Sequence, residues 1–158
     1  MHVTVMGREE MEALVANPFP PDTAVISITD SDQDKVVFSH APAHLLELKF
    51  DDVSFGIYQE ILGRKPTVAE MRKIETKLHM LSNQQAGQLA AFVLDLPRHT
   101  NLICQCEYGQ SRSAAVAAAV MEHFYGNGIG IFADPRYYPN KFVFKKVLLA
   151  LRNLSCRR

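Results

Sequence analysis

Polar and apolar positions along the chain fall into short stretches of two periods. His2 to Met6 alternates as a strand does, and after Gly7 the residues Met11, Leu14 and Val15 recur at helical spacing until Asn17-Pro18 stops them. Thr23 to Thr29 is an unbroken run rich in β-branched residues, which predicts a strand covered on both faces. Asp30 to Asp34 follows as a polar loop. Leu46, Leu48 and Phe50 alternate with Glu47, Lys49 and Asp51, so this strand has one face in the core and runs out into two carboxylates, Asp51 and Asp52.

Helical periods dominate the middle of the chain. Met71, Ile74, Leu78 and Leu81 recur at three and four residues, which predicts an amphipathic helix over Thr67 to Leu81. Ser82 with Gln85 has the form of a capping box, opening a second helix through Leu89, Phe92 and Val93 that ends near Pro97. Asn101 to Gln105 reads as a short buried strand. Ala114 to Val120 is apolar nearly all round, so the helix that continues from it to Gly126 belongs at the centre of the molecule. A last helix covers Lys141 to Leu154.

This order predicts an α/β fold: a single domain over residues 1–158, with a central, mainly parallel sheet of about four or five strands flanked by helices. The Asn101 strand should lie in its interior, and ligand sites in such sheets lie at the carboxyl ends of the strands. Composition agrees with one globular core, at 158 residues, 47% apolar and 22% charged. Seventeen basic residues balance 17 acidic ones, which argues against the basic footprint of a nucleic-acid binder. Three Cys without even spacing do not suggest a disulfide framework, and no apolar run is long enough to span a bilayer. The expectation is a cytoplasmic monomer with no nucleic-acid or membrane partner.

One junction between strand and helix carries chemistry: Cys106-Glu107-Tyr108-Gly109-Gln110-Ser111-Arg112-Ser113. A loop of this length, opening into a helix, turns the backbone amides of Glu107, Tyr108, Gly109, Gln110, Ser111 and Arg112 onto one anion. Arg112 adds a fork suited to phosphate oxygens, and the field of the helix amino terminus favours Cys106 as a thiolate nucleophile. Gly109 has the conformational room that such a curl needs. Cys, Gly, Ser, Arg and Ser at these spacings coincide by chance about once in several thousand such chains.

The string resembles the signature of the cysteine-based protein tyrosine phosphatases, especially the dual-specificity-like members: His-Cys, five residues, Arg, then Ser or Thr. It matches at Cys106, Gly109, Ser111, Arg112 and Ser113, and departs at Gln105, where the family has a His that tunes the thiol. The order of elements from Thr23 to Leu151 matches as well. The resemblance implies a tyrosine-phosphatase-like fold and a phosphomonoester hydrolase acting through a cysteinyl-phosphate, on a phosphorylated protein or a small phosphomonoester, without metal or cofactor. It implies a hydroxyl at Ser113 that assists release of the thiolate, and an Asp from an upstream loop that protonates the leaving oxygen. Asp52 is favoured for that role as the first residue clear of its strand, Asp51 is the alternative, and Asp134 of Asp134-Pro135 is a rival.

Other readings stand beside these. Asp51 and Asp52 are also the kind of residue that caps a helical turn. Cys104 shares a strand face with Cys106 and reads as a buried apolar residue rather than a redox partner. Pro42 separates His40 from His44, and no further ligand completes a zinc site. Glu107 and the lack of a Lys between Cys106 and Arg112 weigh against a lipid substrate. Gln105 keeps open a second function, a catalytically weak module that recognises phosphorylated partners.

Overall fold

The computed structural model describes residues 1–157. Four parallel strands form the sheet: β1 (His2–Met6), β2 (Thr23–Thr29), β3 (His44–Lys49) and β4 (Asn101–Gln105), in the order β1-β4-β2-β3. The Asn101 strand is therefore interior, as its apolar run predicts. Every residue of β2 is buried, which is what an unbroken β-branched run requires.

The two faces of the sheet are covered unequally. On one side Met11 and Val15, from α1 (Arg8–Leu14) and the residue after it, pack with Val25 and Val36. On the other, Ile26, Ile28, Leu48, Leu102 and Cys104 meet α4 (Asn83–Asp95), α5 (Arg112–Tyr125) and α7 (Lys141–Ser155) in the main core. Arg112 to Val120 is buried at all nine positions, and the small Ala side chains let this helix lie close to the strands. Ser82 Oγ accepts from the Gln85 amide at 3.1 Å and Gln85 Oε1 from the Ser82 amide at 3.0 Å, so the expected capping box opens α4.

Three features depart from the sequence reading. The helix expected over Thr67 to Leu81 is α3 (Val68–Lys77), ending before its last two apolar positions. His79 leaves it at φ 48°, and the carbonyl thus turned accepts the Asp51 amide at 2.8 Å. Apolar spacing continues past this point because Leu78 and Leu81 still face inward, but Ser82 must be extended to cap α4, so the chain has to unwind. The short helices α2 (Gly56–Leu62) and α6 (Ile129–Ala133) were not expected. The segment between β3 and α4 is pinned by Glu75, which accepts from Tyr58 Oη at 2.9 Å and from Lys146 Nζ of α7 at 2.7 Å. Burial, reinforced by that carboxylate, pushes the Tyr58 hydroxyl pKa well up. None of the described helices is long and apolar enough to cross a membrane.

Candidate active site

Gln105 is the last residue of β4, in register with Met6 of β1 and Ser27 of β2. Cys106 therefore leaves the sheet between its neighbours and is buried, 2% exposed. The loop after it is anchored by its carbonyls. Glu107 O accepts from the Arg8 amide at 2.9 Å, Gln110 O from the Tyr138 amide at 2.8 Å, and Ser111 O from the Asn140 amide at 3.2 Å. A planar trans peptide sets its N–H opposite its carbonyl, so the amides of Tyr108, Ser111 and Arg112 point away from these anchors. Among the described residues no backbone acceptor takes them.

Gly109 sits at φ +67°, and a Cβ there would lie 2.5 Å from Gly7 N and Met6 C. The loop thus rests directly on the end of β1, and only glycine fits both the conformation and the contact. Tyr108 is 82% exposed, so its backbone rather than its ring belongs to the cradle.

Arg112 is buried, and its Nη1 donates to Phe50 O at 2.7 Å and pairs with Asp30 Oδ1 at 2.5 Å. Its Nε is buried without a partner among the described residues. A buried guanidinium N–H left unpaired is costly, and an anion in the loop would satisfy it. At the second residue of α5, Ser113 Oγ lies 3.0 Å from Cys106 Sγ.

The carboxylates separate clearly. Asp52 Oδ1 accepts from Ser111 Oγ at 2.8 Å and from Asn140 Nδ2 at 2.7 Å, so it stands against the loop that follows Cys106. Oδ2 has no described partner. Asp51 turns to the loop after β2, where it accepts from the Ser31 amide at 2.7 Å and from Ser31 Oγ at 2.8 Å. Asp134 is held by Arg136, whose side chain and amide lower its carboxyl to about 2. Gln105 is fully enclosed: its Oε1 accepts from Ser27 Oγ at 2.6 Å and its Nε2 donates to Cys106 O at 2.9 Å. Cys104 is wholly buried, and burial, with Cys106 nearby, pushes its thiol far up.

No family model matches the chain, and no curated protein matches it. Three solved structures do resemble it, each along 99% of this chain. A crystal structure of PTPMT1 is 15% identical over 93% of that chain with a TM-score of 0.47, and one of PTPMT1 in complex with PI(5)P is 14% identical over 94% with a TM-score of 0.49. The crystal structure of human DUSP28 is 16% identical over 95% of that chain, with a TM-score of 0.45. At such identities the chemistry has to be carried by the residues of the site themselves.

The structure brings Cys106, Arg112, Ser113, Asp52 and the loop backbone together, and it gives Asp51 and Asp134 to other partners. Two residues of the site escape a reading of the sequence. Asp30, seen there only as the start of a polar loop, is the carboxylate that pairs with Arg112. Asn140 receives the Phe142 and Val143 amides on Oδ1 at 3.0 and 3.2 Å, capping α7, while its amide nitrogen holds Asp52. An Asn just before an apolar helical run was a legible cap signal, but its second contact was not.

Proposed function

We propose that the chain is a phosphomonoester hydrolase that works through a cysteinyl-phosphate. The observation that carries this reading is the buried, unpartnered Nε of Arg112 at the end of a loop whose Glu107, Gln110 and Ser111 carbonyls are taken by amides of neighbouring segments. Cys106 Sγ attacks phosphorus as the bond to the leaving oxygen breaks, and Asp52 gives that oxygen its proton. Water then attacks phosphorus, its proton passes to the Asp52 carboxylate, and the sulfur leaves as a thiolate stabilised by the Ser113 hydroxyl. With Oδ1 held by two donors, Oδ2 is the oxygen that carries the proton. The substrate class is a phosphorylated protein or a small phosphomonoester, and Glu107 in the loop disfavours a phospholipid.

The test is a pair of isosteric changes. Asp52→Asn should lower kcat on phosphotyrosine peptides by about 100-fold, the lower end of what general acid catalysis contributes. It should affect para-nitrophenyl phosphate less, since that leaving group needs little protonation. Asp51→Asn should leave the leaving-group dependence unchanged. If Asp51→Asn carries the leaving-group effect instead, the acid is misassigned.

Gln105 favours a second reading, a phosphate-binding module with little turnover. Its carboxamide serves Ser27 and the main chain of Cys106 rather than the thiol. Measurable hydrolysis of para-nitrophenyl phosphate that Cys106→Ser abolishes would exclude it.

A further inference from the structure

Beside the phosphate loop lies a groove of about 430 Å³ that shares Asp52 and Ser111 with the site and continues past Phe55, Tyr138 and Lys141. Its walls are unusual for a protein surface. Phe55 is 40% and Tyr138 74% exposed. Phe55 packs edge-on against Phe142 at 5.3 Å between centroids, and the Tyr138 amide is tied to Gln110 O of the loop. Lys145 Nζ stands 5.2 Å from the centre of the Phe55 ring, and Lys141 lines the groove next to it. Both ammonium groups are on exposed residues of the first turns of α7.

We propose that this groove seats the polypeptide that carries the phosphate, and that Lys141 and Lys145 select acidic residues beside the phosphorylated one. The proposal rests on the phosphatase reading for the position of the phosphate, and it adds the substrate's flanking chemistry. Aromatic walls, Phe55 among them fixed against Phe142, cover the ring and backbone of a peptide, and the ammonium groups of Lys141 in the groove and Lys145 beside Phe55 complement carboxylates next to it. A groove walled on two sides, with the Asp52 carboxylate in it, suits a peptide better than an anionic bilayer, which is met by a protruding basic face.

The experiment compares phosphotyrosine peptides that differ only in having Glu or Lys next to the phosphotyrosine. The intact chain should turn over the Glu peptide with a kcat/KM about tenfold above the Lys peptide, the sum of two exposed ion pairs. The double variant Lys141→Glu/Lys145→Glu should invert that ratio, an outcome that a merely structural role for the lysines would not produce. Binding of both peptides to Cys106→Ser is measured in parallel by fluorescence anisotropy. If nothing is hydrolysed but the binding ratio is still about ten and inverts, the groove stands and the phosphatase reading falls. If both peptides are hydrolysed and bound equally, the groove proposal is overturned and the phosphatase reading is untouched. Preference of the Cys106→Ser protein for phosphatidylserine vesicles over both peptides would also overturn it.

Discussion

Replacing Asp30 by Asn removes one negative charge and little else, because the amide oxygen still accepts from Arg112. The Arg112 side chain it leaves behind is 4% exposed, and the ion pair it loses is 2.5 Å long. Breaking a fully buried pair by removing one partner costs about 3–5 kcal/mol. The Asp30 side chain is 33% exposed, so water already screens part of the pair, and the retained hydrogen bond lowers the loss further. A cost of about 2 kcal/mol is expected, equivalent to a fall in Tm of about 4–8 °C for a chain of this size. Phosphate supplies the missing countercharge. Saturating phosphate should therefore raise the Tm of Asp30→Asn by several degrees more than it raises that of the parent. The assay is thermal unfolding by circular dichroism with and without phosphate, with chloride at matched ionic strength as control. Equal Tm values without phosphate, or equal phosphate shifts in the two proteins, would refute the claim that Asp30 balances the charge of an anion-binding Arg112.

Three further outcomes follow from the geometry. Gly109→Ala puts a Cβ 2.5 Å from the backbone of Gly7 and Met6 at φ +67°, so the loop must lift off β1; calorimetry should show phosphate affinity falling by roughly tenfold or more. Ser27→Ala leaves Gln105 Oε1 buried without a donor and should cost about 1–3 kcal/mol in urea unfolding, whereas an unchanged midpoint would mean that Gln105 finds another partner. The buried Cys104 thiol, raised by burial, keeps its proton in the native state while an unfolded Cys loses it above about pH 8.5. Stability should therefore fall as pH rises past that point, by up to about 1.4 kcal/mol per unit from this group. Cys104→Ala should remove that slope, and an identical slope in the variant would show that it comes from elsewhere.

What could be read from the sequence, and what could not, has a physical basis in particular residues. Thr23 to Thr29 and Ala114 to Val120 announce themselves because burial on all sides demands a run with no charged residue, and Asn101 to Gln105 through its short apolar centre Leu102 to Cys104. The sharp turn at Gly109 was legible for the same kind of reason, since the φ it adopts excludes other residues. The end of α3 was hidden, because His79 does not break helices and, though it tolerates φ 48° better than most residues, takes it only where the capping demand of Ser82 imposes it. The pairing of Asp30 with Arg112 joins residues far apart in the chain through neighbouring strand ends, and no local pattern encodes that. Asp51 and Asp52 are chemically identical in sequence. They part only because Ser31 stands on one side of the strand end and Asn140 on the other.

The central claim is that Cys106 takes the phosphoryl group. Ser113→Ala, which removes the hydroxyl 3.0 Å from Cys106 Sγ, should slow loss of phosphate from sulfur and let the intermediate accumulate. The measurement is mass spectrometry of that variant, acid-quenched within milliseconds of mixing with para-nitrophenyl phosphate and digested. The peptide containing Cys106 should carry one phosphoryl group on sulfur. Release of para-nitrophenolate with Cys106 unmodified at every time point, or a phosphoryl group on any other residue, would contradict the account.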